Sequence, residues 1–257
     1  MDFLQAVILG VIQGVTEWLP ISSSGHLVLA EHFFNLQMPL IFDVVIQLAS
    51  VLVVLAVFWK DILSLIKGVL KNDQHSWRMV FFLIIASTPI ALFGLLFHDF
   101  IESVFKSLTT VGFSLLFTSI LLFLSRYPRK KTKPINATAA IGIGLAQALA
   151  IFPGVSRSGS TISAGMMLGF KREEVARFSF LMFIPAMIGA AGFEIYKGAL
   201  SQIADPWMVL LSSITAVAAG FFSLKLLLQI IRKDLFSYFS IYCALLGIIT
   251  LIVAFVA

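Results

Sequence analysis

Apolar and polar positions along this chain fall into long blocks rather than short periods. Six runs, 39–59, 79–97, 108–126, 179–196, 207–229 and 238–257, carry almost no charge. Each reaches or approaches the ~20 residues that a helix needs to cross a bilayer core. Two further apolar segments, 3–35 and 135–170, are interrupted near their middles by Pro, Gly and a run of Ser, so that neither half is long enough to cross. The pattern predicts an all-α polytopic membrane protein with six transmembrane helices and two re-entrant helix hairpins, folded as a single membrane domain over 1–257. The stretch from Lys60 to Arg78 places apolar residues at helical spacing with lysines opposite, which predicts an interfacial connector.

Composition narrows the class further. Hydrophobic residues make up 60% of the 257 and charged residues 12%, too few to cover a soluble globule. The 25 Phe exclude a disordered chain, and the single cysteine, Cys243, excludes a disulfide scaffold. The net charge of +5 is not gathered into one patch, so nucleic acid is not an expected partner. No basic region precedes the first apolar run, and no signal peptide is expected.

The basic residues set the orientation. None precedes Lys60. The clusters are Lys60, Lys67, Lys71 and Arg78; Arg126, Arg129, Lys130, Lys131 and Lys133; Lys171, Arg172 and Arg177; and Lys225, Arg232 and Lys233. Six crossings put all four on one face if each broken segment returns to the face it entered, and the positive-inside rule makes that face cytoplasmic. Both termini are then extracytoplasmic. The hairpin 3–35 dips in from outside and 135–170 from the cytoplasm.

A shift of 134 residues superimposes the broken segments. Gly10, Gln13, Ser22, Ser24, Gly25 and Ala30 meet Gly144, Gln147, Ser156, Ser158, Gly159 and Ala164. Each hairpin is followed by three spans, so the second half is inverted relative to the first. The chain reads as an inverted-topology repeat, 1–130 and 131–257, a fold type whose sites form near the midplane where interrupted helices meet. Close packing of small residues is the competing reading of the Gly/Ser segments, but it does not account for the charges found there.

Those charges are Glu17 and Arg157. An Arg or Asp at the bilayer centre costs roughly 2.5–3.5 kcal/mol on insertion scales, and Glu is comparable, so such a residue marks a site by default. Gln13 and Glu17, four apart, share one helix face. Pro20 ends that helix, Ser22, Ser23, Ser24 and Gly25 turn the chain, and His26 opens the next half-helix. In the second hairpin Pro153-Gly154 breaks the helix. Ser156, Arg157, Ser158 and Gly159 turn the chain, and Thr161 follows. Free N–H groups at two helix starts, serine hydroxyls and a guanidinium make a cradle for phosphate or diphosphate. A carboxylate (Glu17), an imidazole (His26) and hydroxyls beside it suffice for phosphoryl hydrolysis. A buried Glu17–Arg157 ion pair that only fixes the fold is the main alternative. His32, His75 and His98 read as solvated at interfaces, Asp43 and Glu194 as structural, and Gln147 as bonding its own turn. No Cys/His spacing suggests zinc.

At these residues the sequence resembles the undecaprenyl-diphosphate phosphatases of the bacitracin-resistance type. The family's E/Q-x-x-x-E and P-x-S-S-x-G-H motifs are matched by Gln13, Glu17, Pro20, Ser22, Ser23, Gly25 and His26. Its P-G-x-S-R-S-G motif is matched by Pro153, Gly154, Ser156, Arg157, Ser158 and Gly159. FDVVIQLAS (Phe42 to Ser50) and FSFLMFIPAMIGA (Phe178 to Ala190) are also family-like, so the likeness spans essentially the whole chain. Position 13, where many members have Glu, holds Gln, and no metal role is carried to it.

The resemblance implies a bacterial inner-membrane hydrolase with an extracytoplasmic pocket. Its reaction removes the terminal phosphate of undecaprenyl diphosphate and recycles the lipid carrier for peptidoglycan and cell-wall synthesis. Bacitracin resistance follows, because bacitracin competes for the same lipid. It also implies a divalent cation, Mg2+ or Ca2+, held with Glu17. Catalysis is expected from Glu17, His26, Ser23 and Arg157, with the nucleophile being Ser23, His26 or water. Substrate binding is expected from Gln13, Ser22, Ser24, Gly25, Ser156, Ser158, Gly159 and Thr161. Membrane lipid is a partner, and a homodimer is compatible with the sequence. The alternative is a polyprenyl-phosphate transporter or flippase using the same anion site. Against it, Glu17 and His26 have only Ile151 and Ser160 as counterparts in the second hairpin.

Overall fold

A computed structural model describes residues 1–127 and 135–256. Arg129, Lys130, Lys131 and Lys133 of the second basic cluster, and the boundary between the two halves at 130/131, lie outside the described residues. All regular structure among the described residues is helical.

The first broken segment forms α1 (Phe3–Trp18) and α2 (Ser23–Phe33). At 1.5 Å per residue they are ~24 and ~17 Å long, short of the ~30 Å hydrocarbon core. Ser22 caps α2 by accepting the Gly25 N–H at 3.2 Å. The second broken segment forms α9 (Ala137–Leu149) and α10 (Arg157–Met167), and Ser156 caps α10 by accepting the Gly159 N–H at 3.0 Å. The limits of α10 are those of α2 displaced by 134 residues.

Between the hairpins lie α3 (Leu40–Ala49), α4 (Val51–Val57), α5 (Trp59–Leu70), α6 (Gln74–Leu96), α7 (His98–Phe105) and α8 (Leu108–Leu124). After α10 come α11 (Arg172–Tyr196), α12 (Pro206–Arg232) and α13 (Phe239–Val256). Five segments are long and apolar enough to cross a membrane: α3–α4 taken together, α6, α11, α12 and 236–256. The sixth expected crossing is α8, 17 residues long, with α7 bent 99° away from it. Large apolar side chains such as Phe81, Ile84 and Leu92 on α6, and Leu245, Ile248 and Ile252 on α13, face outward. In a protein without a polar shell this is the signature of a lipid-facing surface. The chain is a multi-pass membrane protein.

Several boundaries depart from the sequence reading. The span expected at 39–59 is broken at Ser50. The span expected at 179–196 begins at Arg172, because Glu173, Glu174 and Arg177 extend the helix beyond its apolar part. The Lys60–Arg78 stretch is α5 plus the first turn of α6, with Asp73 capping α6 through the Ser76 N–H at 2.9 Å.

The helices pack across the halves. Helix α1 lies on α12, α9 on α6, α8 on α13, and α3–α4 against α11. A Cβ at Gly10 would collide with Ser212 and Thr215 of α12, and one at Gly144 would collide with the backbone of α6 at Ala86. Only Gly admits these approaches. Ser212 Oγ donates to Ala6 O at 2.9 Å, and Ser223 Oγ to Val15 O at 2.7 Å, so hydroxyls also stitch α12 to α1.

Charges gather at the two ends. At one end Arg177 pairs with Asp61 at 3.1 Å and Arg172 with Asp234, which brings the Lys60, Lys171 and Lys225 clusters to one face. At the other, Lys106 Nζ contacts both Glu31 and Asp43 at 2.6 Å, tying α2 and α3 to the α7–α8 corner. Asp43 is thus structural, as read from the sequence, and Glu31 and Lys106 are partners the sequence did not single out.

Candidate active site in the membrane

The tips of the two hairpins meet. A Cβ at Gly25 would stand 3.1 Å from the Gly154 Cα, and Gly159 faces the Pro20 carbonyl. Gly154 has φ +95°, a left-handed conformation that suits Gly, with its flank against the Val111 backbone. Thr118 of α8 locks this turn: its Oγ1 donates to Gly154 O at 3.0 Å and accepts the Ser156 N–H at 3.0 Å. Ser158 Oγ donates to Leu19 O at 3.3 Å, and Cys243 lies under Pro20. Ser22, the counterpart of Ser156, has φ +69°, an uncommon conformation for a residue with a Cβ, whereas Ser156 sits at −73°. The strained turn is the one that presents Ser23.

Around this contact the polar side chains assemble on Glu17. Arg157 Nη2 donates to Glu17 Oε1 at 2.8 Å. Ser23 Oγ donates to Oε2 at 2.5 Å, and Gln13 Nε2 to the same oxygen at 2.9 Å. Glu17 and Arg157 are both deeply buried, with side chains 5% and 12% exposed, so neither can be satisfied by bulk water. Arg157 Nη1 donates to Ser179 O at 3.4 Å, and its guanidinium carbon lies 4.1 Å from the centroid of Phe183. Trp18 packs edge-on against Phe180 and Phe183, backing the cation with an aromatic wall.

A cavity of about 60 Å³ opens at the cluster. Its polar wall is Glu17, Ser22, Ser23, Ser24, Gln47, Gln147, Ser156 and Arg157, and its apolar wall includes Ile90, Phe183, Ala186 and Met187. That volume holds a few water-sized groups, comparable to one phosphoryl group. Pro89 and Pro185 interrupt the hydrogen-bond ladders of α6 and α11 beside Ile90 and Ala186.

Six of the residues expected from sequence, Glu17, Ser22, Ser23, Ser24, Ser156 and Arg157, therefore share one cavity. The others stand behind it. Gln13 supports Glu17. Gly25, Ser158 and Gly159 form the contact between tips. Thr161 Oγ1 bonds Ser179 Oγ at 2.6 Å and joins α10 to α11. His26 does not line the cavity. Its Nδ1 lies 2.7 Å from Ser22 O and its Nε2 2.7 Å from the Tyr242 hydroxyl, so it braces the strained Ser22 turn against α13. Gln147, read as a turn residue, lines the cavity. Gln47, Thr118, Ser179 and Tyr242 were not foreseen. Each is an uncharged polar residue inside an apolar span, a pattern shared with many packing residues, though Gln47 lies within the FDVVIQLAS stretch.

The donor set fits a hard divalent cation. Glu17 is the carboxylate in the cavity wall, and the amide oxygen Oε1 of Gln147, in the same wall, is buried with no hydrogen-bond partner. Carboxylate and amide oxygens are the ligands Mg2+ and Ca2+ take.

Fold and site together define a polytopic membrane protein with a polar cavity enclosed between two hairpin tips. Residues 6–249 match the family described as bacitracin resistance protein BacA, and the chain belongs to that family. It is 38% identical to an undecaprenyl-diphosphatase of Methanosphaera stadtmanae, over all of this chain and 99% of that one. It is 39% identical to one of Bacteroides fragilis, over 99% of both chains, and 40% identical to one of Carboxydothermus hydrogenoformans, over 98% of this chain and 97% of that one.

Proposed function

We propose that this chain hydrolyses undecaprenyl diphosphate to undecaprenyl phosphate and inorganic phosphate, and so recycles the lipid carrier of cell-wall synthesis. The observation that carries the reading is the meeting of Glu17, Ser23 and Arg157 in one buried cavity between two capped helix starts. The relatives named above carry the same activity in their names.

The terminal phosphate sits in the cavity with its oxygens toward Arg157 and the first N–H groups of α2 and α10. These are fixed positive groups matched to the charge of a phosphoryl transition state. Glu17, already accepting the Ser23 hydroxyl, takes the proton as Ser23 Oγ, or a water in its place, attacks the distal phosphorus. The P–O bond to the lipid phosphate breaks, and undecaprenyl phosphate departs. If Ser23 attacks, a second attack by water on the phosphoserine releases phosphate. His26 acts from behind, holding the Ser22 carbonyl and with it the position of Ser23. The apolar wall of α6 and α11 gives the prenyl tail a lateral way out into lipid. A bound Mg2+ or Ca2+, held by Glu17 and the Gln147 amide oxygen, would neutralise phosphate charge.

The hairpins belong to an inverted-topology repeat, supported by the matched limits of α2 and α10 and by the exchange of partners, α1 with α12 and α9 with α6. In this reading the end carrying Asp61, Arg172 and Arg177 faces the cytoplasm. Both termini, the Lys106 end and the cavity mouth face the other side of a bacterial inner membrane. Bacitracin, by sequestering the diphosphate, removes the substrate. Glu17, Ser23 and Arg157 all come from one chain. Only the first hairpin carries a carboxylate at the tip, which favours hydrolysis over carriage by two equivalent half-sites.

Phosphate release from undecaprenyl diphosphate by the purified protein, wild type against Glu17→Ala, Arg157→Ala and His26→Ala, tests the reading. Loss of at least two orders of magnitude is expected for the first two. Full activity in well-folded Glu17→Ala and Arg157→Ala would overturn it.

A further inference from the structure

Away from the cavity, at the corner between α6 and α7, three metal-ligating side chains converge. His98 Nδ1, one oxygen of Asp99 and one of Glu102 all lie within 4.8 Å of one another. The Nδ1 to Asp99 Oδ1 distance is 3.2 Å, and Nδ1 to Glu102 Oε2 is 3.9 Å. Ligands at the 2.0–2.2 Å bond lengths of zinc, set at the corners of a tetrahedron, stand roughly 3.3–3.6 Å apart, and the two separations from Nδ1 bracket that value.

The imidazole is braced from its far side. The sequence reading made His98 a solvated interface residue, but its side chain is only 12% exposed, packed edge-on against Phe193 at 5.1 Å. Its Nε2 lies 2.8 Å from Oε1 of Glu194, a carboxylate that is itself buried near the end of α11. Lys197 Nζ lies 3.0 Å from Nδ1. Nδ1 thus faces both the ammonium and the Asp99 carboxylate, while Nε2 faces Glu194; a metal at Nδ1 requires that nitrogen unprotonated, with Nε2–H donating to Glu194. A carboxylate that fixes the far nitrogen of a histidine is the usual outer support of a metal-bound imidazole. The same Lys197 Nζ lies 3.2 Å from Asp99 Oδ1. A cation therefore already sits among the donor atoms, and Asp99 and Glu102 are open to water on their outer sides, 92% and 53% exposed.

We propose that His98, Asp99 and Glu102 form a second metal site, separate from the Glu17 cavity, that takes a borderline divalent cation such as Zn2+ with water completing the shell and Lys197 displaced. Imidazole with carboxylates selects zinc-class ions over Mg2+ or Ca2+, so the two sites differ in chemistry. Glu194 supports the histidine from α11 while the ligands come from α7, so the site lies where the first half of the chain meets the second.

Cobalt is the probe. Tag-free, full-length protein carrying Glu17→Ala with Arg157→Met, which removes the cavity carboxylate without leaving the guanidinium unpaired, is titrated with CoCl2 and followed by visible d–d absorption. One Co2+ per chain with a low-symmetry, four-coordinate spectrum is expected, together with a rise in Tm on metal addition. His98→Ala should abolish both. So should Asp99→Asn, whose exposed side chain leaves folding untouched. Glu194→Gln, which touches no metal, should weaken binding roughly 10- to 100-fold, and Lys197→Met should strengthen it by removing the competing ammonium. No bound Co2+, Co2+ binding unchanged by His98→Ala and Asp99→Asn, or weaker binding in Lys197→Met would overturn the proposal.

Discussion

Glu17 stands in the last turn of α1 and Arg157 in the first turn of α10, and they meet at 2.8 Å. Each charge is at the helix end whose dipole disfavours it: a carboxylate where carbonyls point out, a guanidinium where N–H groups do. Neither placement helps its own helix. Each offsets the other, and the N–H groups of α10 and α2 remain for an anion. The pair is thus a poor device for stability and a suitable one for receiving phosphate.

Glu17→Gln keeps the size of the side chain and removes its charge, leaving Arg157 buried without a counter-ion. Breaking a buried pair in this way costs about 3–5 kcal/mol, and loss of a general base costs about 10²–10⁴ in rate. Phosphate-release assays and thermal unfolding in detergent should show both losses. Adding Arg157→Met should recover stability without recovering activity.

Gly154→Ala introduces a Cβ at φ +95° against the Val111 backbone. The left-handed conformation alone costs about 1–2 kcal/mol, and the clash adds to it, so Tm should fall clearly. Gly25→Ala keeps an ordinary helical backbone and meets the Gly154 Cα at 3.1 Å and Ser22 Oγ at 3.3 Å. It should separate the tips slightly, with a small change in Tm and a larger fall in kcat. Melting curves beside kinetics of the two variants check the contrast.

Much of this was legible in the sequence because the signals are local. Pro20 and Pro153-Gly154 stand beside serine runs and end their helices, unlike Pro89 and Pro185 inside the apolar α6 and α11, and Ser22 and Ser156 cap the helices that follow. Glu17 and Arg157 stood out because charge is costly in lipid. The rest depends on tertiary contact. Nothing around His98 shows that Glu194, nearly a hundred residues away, will bury it, and Lys106 reads as an ordinary loop cation until α2 and α3 fold against it. The Ser50 break divides a span whose hydropathy is uniform, and the backing of His26 by Tyr242 joins residues from opposite ends of the chain.

Lys106→Met strips the cation shared by Glu31 and Asp43, whose other oxygens already lack partners. Because the lysine is 37% exposed, water softens the loss, and the expected cost is below the about 3–5 kcal/mol of a fully buried pair. Glu31→Gln with Asp43→Asn in the same chain should restore part of it. Thermal unfolding of the single and triple variants measures both steps.

Tyr242→Phe removes the hydroxyl 2.7 Å from His26 Nε2. If His26 acts by bracing Ser22, the loss of one hydrogen bond, about 0.5–1.5 kcal/mol, should lower kcat by no more than about tenfold, with KM little changed. Steady-state kinetics on the lipid substrate provide the check.

Orientation is open to single-cysteine labelling in a Cys243→Ser background. Ser201→Cys should react with a membrane-impermeant maleimide on intact cells, and Asn72→Cys only after permeabilisation.

A double-mutant cycle on kcat/KM for phosphate release, over wild type, Glu17→Gln, Arg157→Met and the double variant, tests the joint grip of the two hairpins on the phosphate. Residues acting as one unit lose nearly all activity singly and little more together, and that strong non-additivity is the predicted result. Additive losses, or a single variant that folds and retains wild-type kcat/KM, would contradict it.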